Sequence, residues 1–180
     1  MISLKSKITQ KLLNLFFLNE KKRFYINELS RIIDEYPANV HKKLFELKKE
    51  GLFKDEFQGK ERYFFLNRDY PFLKEYKGLA LRGFGFEKML KKVIEDIDGI
   101  EAVYLFGSYV KDKLSQESDI DVLIIGSYDS LKLQKAILGL QKNSGREINF
   151  VEFDQQEFKQ KKNTDPFLKS IFSEKYIKIL

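Results

Sequence analysis

Residues 106–125 read FGSYVKDKLSQESDIDVLII, and the rest of the 180-residue chain is best understood outward from this stretch. Gly107-Ser108 stands where an apolar strand, Ala102–Phe106, gives way to a short helix expected to begin near Ser108. Glycine lets backbone approach a phosphate closely, and the N–H groups at a helix start attract an anion. Asp119 follows eleven residues after Ser108, and Asp121 comes next but one, at the head of the apolar strand Ile120–Ile125. Residues two apart on a strand project from one face, about 7 Å apart at their α-carbons. Two such carboxylates can converge on a pair of divalent ions about 3.5–4 Å apart, an arrangement suited to phosphoryl or nucleotidyl transfer. Magnesium takes a few carboxylates plus phosphate oxygens, so two aspartates and a nucleotide suffice to hold it.

The flanks alternate. Phe86–Ile97 is an amphipathic helix with Phe86, Met89, Leu90, Val93, Ile94 and Ile97 on one stripe. After the two strands already named, a helix is expected from about Ser130 to Leu140, a strand over Glu147–Phe153 and a helix over Gln155–Lys162. A last amphipathic stretch (Phe167, Leu168, Ile171, Phe172) precedes the apolar run YIKIL. Strands alternating with helices predict an α/β (α+β) unit, a mixed sheet packed by helices, over residues 81–180. Gly83-Phe84-Gly85 precedes a helix instead of linking a strand to one, so it is punctuation and not a phosphate loop.

Residues 1–80 read differently. A helix is expected from Lys5 to Asn19, a short extended piece at Phe24-Tyr25, and a helix capped by Asn27 that runs to Asp34. Pro37 fits the first turn of a third helix, which carries Val40, Leu44 and Leu47 on one stripe and ends at Gly51. LFKDEF and RYFFLN then flank Gln58-Gly59-Lys60-Glu61, a hairpin signal, and residues 69–84 form a partly helical linker. With the stripe buried, Asn39, Lys42, Lys43 and Glu46 face outward on the third helix, while His41 beside the stripe reads as a packing or surface residue.

Composition excludes several classes. Hydrophobic residues make up 43% and charged residues 33%, enough apolar content for a core and too much for a disordered tail. No apolar run reaches the roughly 18 residues of a membrane span, and MISLKSKITQ lacks the apolar stretch of a secretory signal, so a cytoplasmic location is expected. Without cysteine there is no disulfide, thiolate zinc site or cysteine nucleophile, and one histidine makes no histidine cage. The whole formal excess of +6 sits in residues 1–80, which hold 17 Lys and Arg against 11 Asp and Glu. That half is expected to meet an anionic partner, nucleic acid being the first candidate.

Both halves resemble known families. The order helix, short strand, helix, helix, charged hairpin over residues 5–68 resembles a winged helix-turn-helix domain. This implies DNA binding by residues 1–80, with Asn39, Lys42 and Lys43 entering the major groove and Lys60 and Arg62 of the wing meeting phosphates. Such domains often work as dimers on two half-sites, which makes a homodimer an expectation, although no heptad seam runs through the chain. The arrangement Leu-Phe-Gly-Ser…Ser-Asp-Ile-Asp-Val-Leu resembles the signature of the DNA polymerase β-like nucleotidyltransferase superfamily, and residues 86–180 look most like its minimal nucleotidyltransferase family.

The second resemblance implies a nucleoside triphosphate held at Gly107 and Ser108, a two-ion Mg²⁺ site on Asp119 and Asp121, and transfer of a nucleoside monophosphate to a hydroxyl with loss of pyrophosphate. Small antitoxin members of that family transfer adenylate to tyrosines of a partner protein, so ATP and a partner protein or toxin are implied in turn. The chain departs from the pattern in two places. After Gly-Ser, Lys111 or Lys113 could supply positive charge, but Asp112 replaces the usual glycine. At the usual third carboxylate stands Asn149, which can offer an oxygen to a metal but cannot act as a base; Glu147, two residues earlier, could stand in. The alternative is a winged-helix regulator or antitoxin-like protein whose second domain only binds nucleotide or a partner.

Overall fold

A computed structural model describes residues 2–111, 113–115 and 118–180; Asp112, noted above for replacing a glycine, lies outside them. The chain forms two compact units, Met1–Lys88 with Lys142–Gly145, and Met89–Gln141 with Arg146–Leu180. Among the described residues no helix is long and apolar enough to cross a membrane.

In the first unit, α1 (Lys7–Leu18) starts at Ser6, whose hydroxyl accepts the Thr9 N–H. Its second half is apolar except for the buried Asn14, and Leu12 through Phe17 are buried on every side. Strand β1 (Phe24–Tyr25) runs straight into α2 (Ile26–Ile33). Tyr25, not Asn27, is therefore the N-cap residue, with no side-chain hydrogen bond; pairing of β1 carries extended backbone up to the helix itself. In α3 (Pro37–Lys49) proline occupies the first turn and Val40, Leu44 and Leu47 are buried, as their spacing predicts. Strands β2 (Phe53–Gln58) and β3 (Glu61–Leu66) form a hairpin whose turn needs Gly59 at φ +62°. The antiparallel sheet has the order β1-β3-β2, and its inner face (Phe24, Phe53, Phe64, Leu66) packs onto Phe16 of α1. Helix α4 (Leu73–Gly83) occupies the expected linker, and α5 (Phe86–Glu95) contains the boundary between the units.

The second unit is built on β4 (Ile100–Phe106), α6 (Gly107–Val110), β5 (Ile120–Gly126), α7 (Ser130–Ser144, whose residues from Lys142 on belong to the first unit), β6 (Ile148–Phe153), α8 (Gln155–Lys161), α9 (Pro166–Ser173) and β7 (Ile177–Lys178). Its mixed sheet has the order β6-β5-β4-β7, with β5 parallel to β6 and antiparallel pairs elsewhere. The apolar run 122–125 is continuous because β5 is central and covered on both faces. Leu123 and Ile125 pack under Leu168 and Ile171 of α9, while Val122 and Ile124 bury on the other side. Helix α7 continues four residues past the expected end at Leu140, because the polar residues there do not break a helix and the first breaker is Gly145, at φ +62°. The terminal run YIKIL supplies β7, an edge strand beside β4.

One ion network in the first unit carries a testable load. The Asp55 side chain is 7% exposed and bound by Lys48 and Arg62, whose guanidinium lies 4.8 Å from the ring centroids of both Phe45 and Phe57. Burial pushes the Asp55 carboxyl up, but Lys48 and Arg62 outweigh it and hold it below its ordinary value. A lowered carboxyl contributes stability above the unfolded-state value of about 3.9 and loses it as pH falls through the folded-state value. Asp55→Asn is therefore expected to lower the melting temperature at pH 7, with the deficit shrinking below about pH 4.

Candidate functional site

Register brings the site together. Phe106 at the end of β4 pairs with Asp121 on β5, and Asp121 pairs with Asn149 on β6, so the three share one face of the sheet. Gly107 follows Phe106 at φ +70° and begins α6. A Cβ added at Gly107 would stand 2.2 Å from Oδ2 of Asp121. Only glycine lets that carboxylate rest on the backbone corner. Ser108 lies beside the residue preceding β5, its Oγ 3.5 Å from the carbonyl oxygen of Asp119.

Asn149 reaches across the strand heads. Its Nδ2 donates to Oδ2 of Asp119 at 2.7 Å, so its side chain serves as a hydrogen-bond donor that orients the first aspartate. Glu147 is exposed and stands just before β6; its backbone carbonyl accepts the Ile120 N–H at 3.0 Å, which sets it level with the two aspartates. Among the described residues, no three His, Cys, Asp or Glu gather as a metal-binding group.

The electrostatics bring two acids together. Burial first, and then the charge of Asp119, push the Asp121 carboxyl above its ordinary value. Among the described residues no hydrogen-bond donor reaches that carboxylate, so a half-buried acid stands beside a second acid. Two carboxylates with an open polar corner fit Mg²⁺, which shares its ligands with phosphate oxygens.

Arg146 belongs to this site and was legible only as a neighbour of Glu147. It is 6% exposed, and its Nη1 donates to the carbonyls of Ser115 and Ser118 at 2.6 and 2.9 Å. Burial lowers the pKa of its guanidinium, against the attraction of Asp119. It thus holds the connection from the glycine-serine corner to Asp119. Nothing in the local sequence marks that role, because the carbonyls it binds lie about thirty residues away.

The expected cations separate. Lys111 pairs with Glu174 at the end of α9, whereas Lys113 is exposed and tied to the corner by its N–H on the Ser108 carbonyl at 3.0 Å. In the first unit Asn39 and Lys42 are exposed on α3, Lys43 pairs with Glu46, and Lys60 is exposed at the hairpin turn. Arg62 turns back to Asp55 between two rings, which leaves Lys60 as the cation at the tip.

A carboxyl raised in the folded state costs stability in full above its raised value, and the cost fades to nothing as pH falls below the unfolded-state value. Asp121→Asn is accordingly expected to raise the ligand-free melting temperature at pH 7, the gain vanishing as pH falls toward the aspartate range; an unchanged or lowered value at pH 7 would show that keeping this carboxylate charged costs the fold nothing.

The family described as nucleotidyltransferase domain matches residues 87–179, just over half of the chain. No curated protein matches. Two solved structures resemble it loosely: a toxin–antitoxin with AMP-PNP (18% identity, TM-score 0.39) and a mutant of the toxin–antitoxin MntA-HpeT (16% identity, TM-score 0.40). Each alignment covers 52% of this chain and 72% of the other, a likeness too loose to carry an argument. The family match covers the sheet, the glycine-serine corner and both aspartates, and the chain belongs to the nucleotidyltransferase domain family.

Proposed function

We propose that the second unit is a Mg²⁺-dependent transferase that moves a nucleoside monophosphate, AMP from ATP, to a hydroxyl of a protein or other acceptor. We propose also that the first unit is a winged helix-turn-helix domain that binds duplex DNA. The observation that carries the first reading is the carboxylate of Asp121 resting on Gly107 beside Asp119. The acceptor oxygen bonds to the α-phosphorus, and the bridging bond to the β-phosphate breaks to release pyrophosphate. Magnesium, when bound, neutralises charge on the triphosphate and on the leaving pyrophosphate.

The chain's own residues divide the work. Asp119 and Asp121 hold the two-ion site together with triphosphate oxygens. Asn149 fixes the rotamer of Asp119 through its amide. Gly107 and Ser108 give the phosphates a side-chain-free approach to backbone, and Lys113 adds charge. Lys111 serves less directly, since Glu174 engages it. Glu147, exposed at the strand heads, takes the proton of the acceptor hydroxyl. Partners in this reading are ATP, an acceptor that includes a toxin-like protein, and DNA.

A second reading has one observation in its favour. Asn149 stands where a third carboxylate is expected and donates to Asp119, which suits a unit that binds nucleotide without transferring it. Incubation of the full chain with α-labelled ATP, Mg²⁺ and cell lysate separates the two. Transfer is expected to label a macromolecule, and Asp119→Asn, Asp121→Asn and Gly107→Ala are each expected to abolish the label. Saturable ATP binding with no label under any triphosphate favours the regulator.

For the first unit, the support is the helix–strand–helix–helix–hairpin order together with the outward Asn39 and Lys42. Duplex binding is expected to weaken steeply with salt. Lys60→Ala should flatten the logarithmic salt slope by about one, for one lost phosphate contact, whereas Lys42→Ala should weaken binding by about 1–3 kcal/mol and relax sequence preference. An unchanged slope removes the hairpin from the interface, and unchanged affinity in Lys42→Ala removes α3.

A further inference from the structure

The three-stranded sheet of the first unit has a second face that the duplex-binding reading leaves unused. Its inner face is closed by Phe24, Phe53, Phe64 and Leu66. Register places Tyr25 opposite Tyr63 and Lys54 opposite Phe65, so these four side chains share the outer face. All three rings there are half-buried, and those of Tyr25 and Tyr63 meet edge-on with centroids 5.7 Å apart. Cations surround them. Arg23 lies 5.1 Å from the Phe65 ring centroid, and Arg31 donates to the Tyr25 hydroxyl at 2.9 Å.

This face continues into a cleft of about 400 Å³ lined by Lys21, Arg23, Lys54, Phe65 and Arg68, with Glu20 and Asp69 among its walls. Both acids are engaged, Glu20 by Lys77 and Asp69 by Lys54 at 2.9 Å; Glu56 beside the cleft pairs with Arg23. Four cations, Lys21, Arg23, Lys54 and Arg68, thus stand around an aromatic ring against three acids, each of them paired. We infer that the outer sheet face and this cleft bind single-stranded nucleic acid. Unpaired bases stack on Phe65, Tyr63 and the Arg23 guanidinium, and the phosphates follow Lys21, Lys54 and Arg68. Every base offers a π-face and every nucleotide a negative charge, so aromatic rings beside a cationic groove are the chemistry a single strand needs. A duplex keeps its bases stacked inside and cannot use the rings. An acidic peptide would use the cations alone.

The inference does not depend on α3 or on the transferase reading. It is tested on the full chain by fluorescence anisotropy with labelled 12-residue single strands of DNA and of RNA, and with the matching duplex, at one salt concentration. At least one single strand is expected to bind below about 100 µM at low salt, and whichever binds more tightly names the polymer. Arg23→Ala with Arg68→Ala should weaken it about tenfold or more, and Phe65→Leu about fivefold, from the loss of stacking. Both changes should leave duplex affinity within about twofold. Lys159→Ala with Lys175→Ala, which removes two charges from the second unit, should change neither. The inference is overturned if no single strand binds, if the Lys159 and Lys175 changes cost as much as the arginine changes, or if duplex binding falls in parallel. A thermal melt of each variant separates lost binding from lost folding, and the exposed Arg23 and Arg68 keep the test decisive should Phe65→Leu destabilise the sheet.

Discussion

The chemistry of the second unit depends on a contact between a carboxylate and a residue without a side chain. Asp121 and Phe106 are cross-strand partners, so the residue after Phe106 must turn directly beneath the aspartate. A β-carbon at that turn would overlap Oδ2, and the backbone there is left-handed at φ +70°. Glycine removes both penalties, the second worth about 1–2 kcal/mol for a residue with a side chain. What results is a carboxylate pressed against open backbone, partly withdrawn from water and facing a second carboxylate. Such an arrangement works against stability and toward cation binding. The sheet tolerates it because β5 is anchored immediately beyond, where Val122 through Ile125 are buried on both faces.

A related division runs through the neighbouring groups. Two polar side chains position the aspartates without adding negative charge: Asn149 donates to Asp119, and Arg146 fixes the Ser115 and Ser118 carbonyls just ahead of it. In the first unit the charges are arranged differently. Asp55 satisfies Lys48 and Arg62 behind the hairpin, which turns Arg62 away from the tip, whereas Arg23, Lys54 and Arg68 collect on the opposite face around Phe65. The basic excess of residues 1–80 is therefore spread over two surfaces of different chemistry.

Much of the architecture was legible because local rules decide it. Proline at the start of α3, the glycine hairpin, and the helix-strand alternation of the second half are short-range signals. The neighbourhood of Gly107, Ser108, Asp119 and Asp121 was readable from spacing because two strands meet at the corner itself. What escaped depended on distant partners. Asn27 lost its capping position because a strand pairing forty residues away extends the backbone to Tyr25. The C-terminal run became β7 only because β4 offers a free edge. Period-two reasoning put Glu147 and Asn149 on one strand, whereas β6 begins at Ile148, so Glu147 stands at the rim. Arg146 shows no local pattern for a contact made through carbonyls about thirty residues upstream.

In the proposed reading the two aspartates and the glycine-serine corner act as one cation-and-phosphate site. Its most direct test is paramagnetic broadening of ¹⁵N amide resonances by substoichiometric Mn²⁺ in the presence of a non-hydrolysable ATP analogue. Selective loss of the Gly107, Ser108, Asp119 and Asp121 signals and of the Asn149 side-chain amide is expected, with none of this in Asp121→Asn. Broadening centred elsewhere, or the same pattern surviving in that variant, would contradict it.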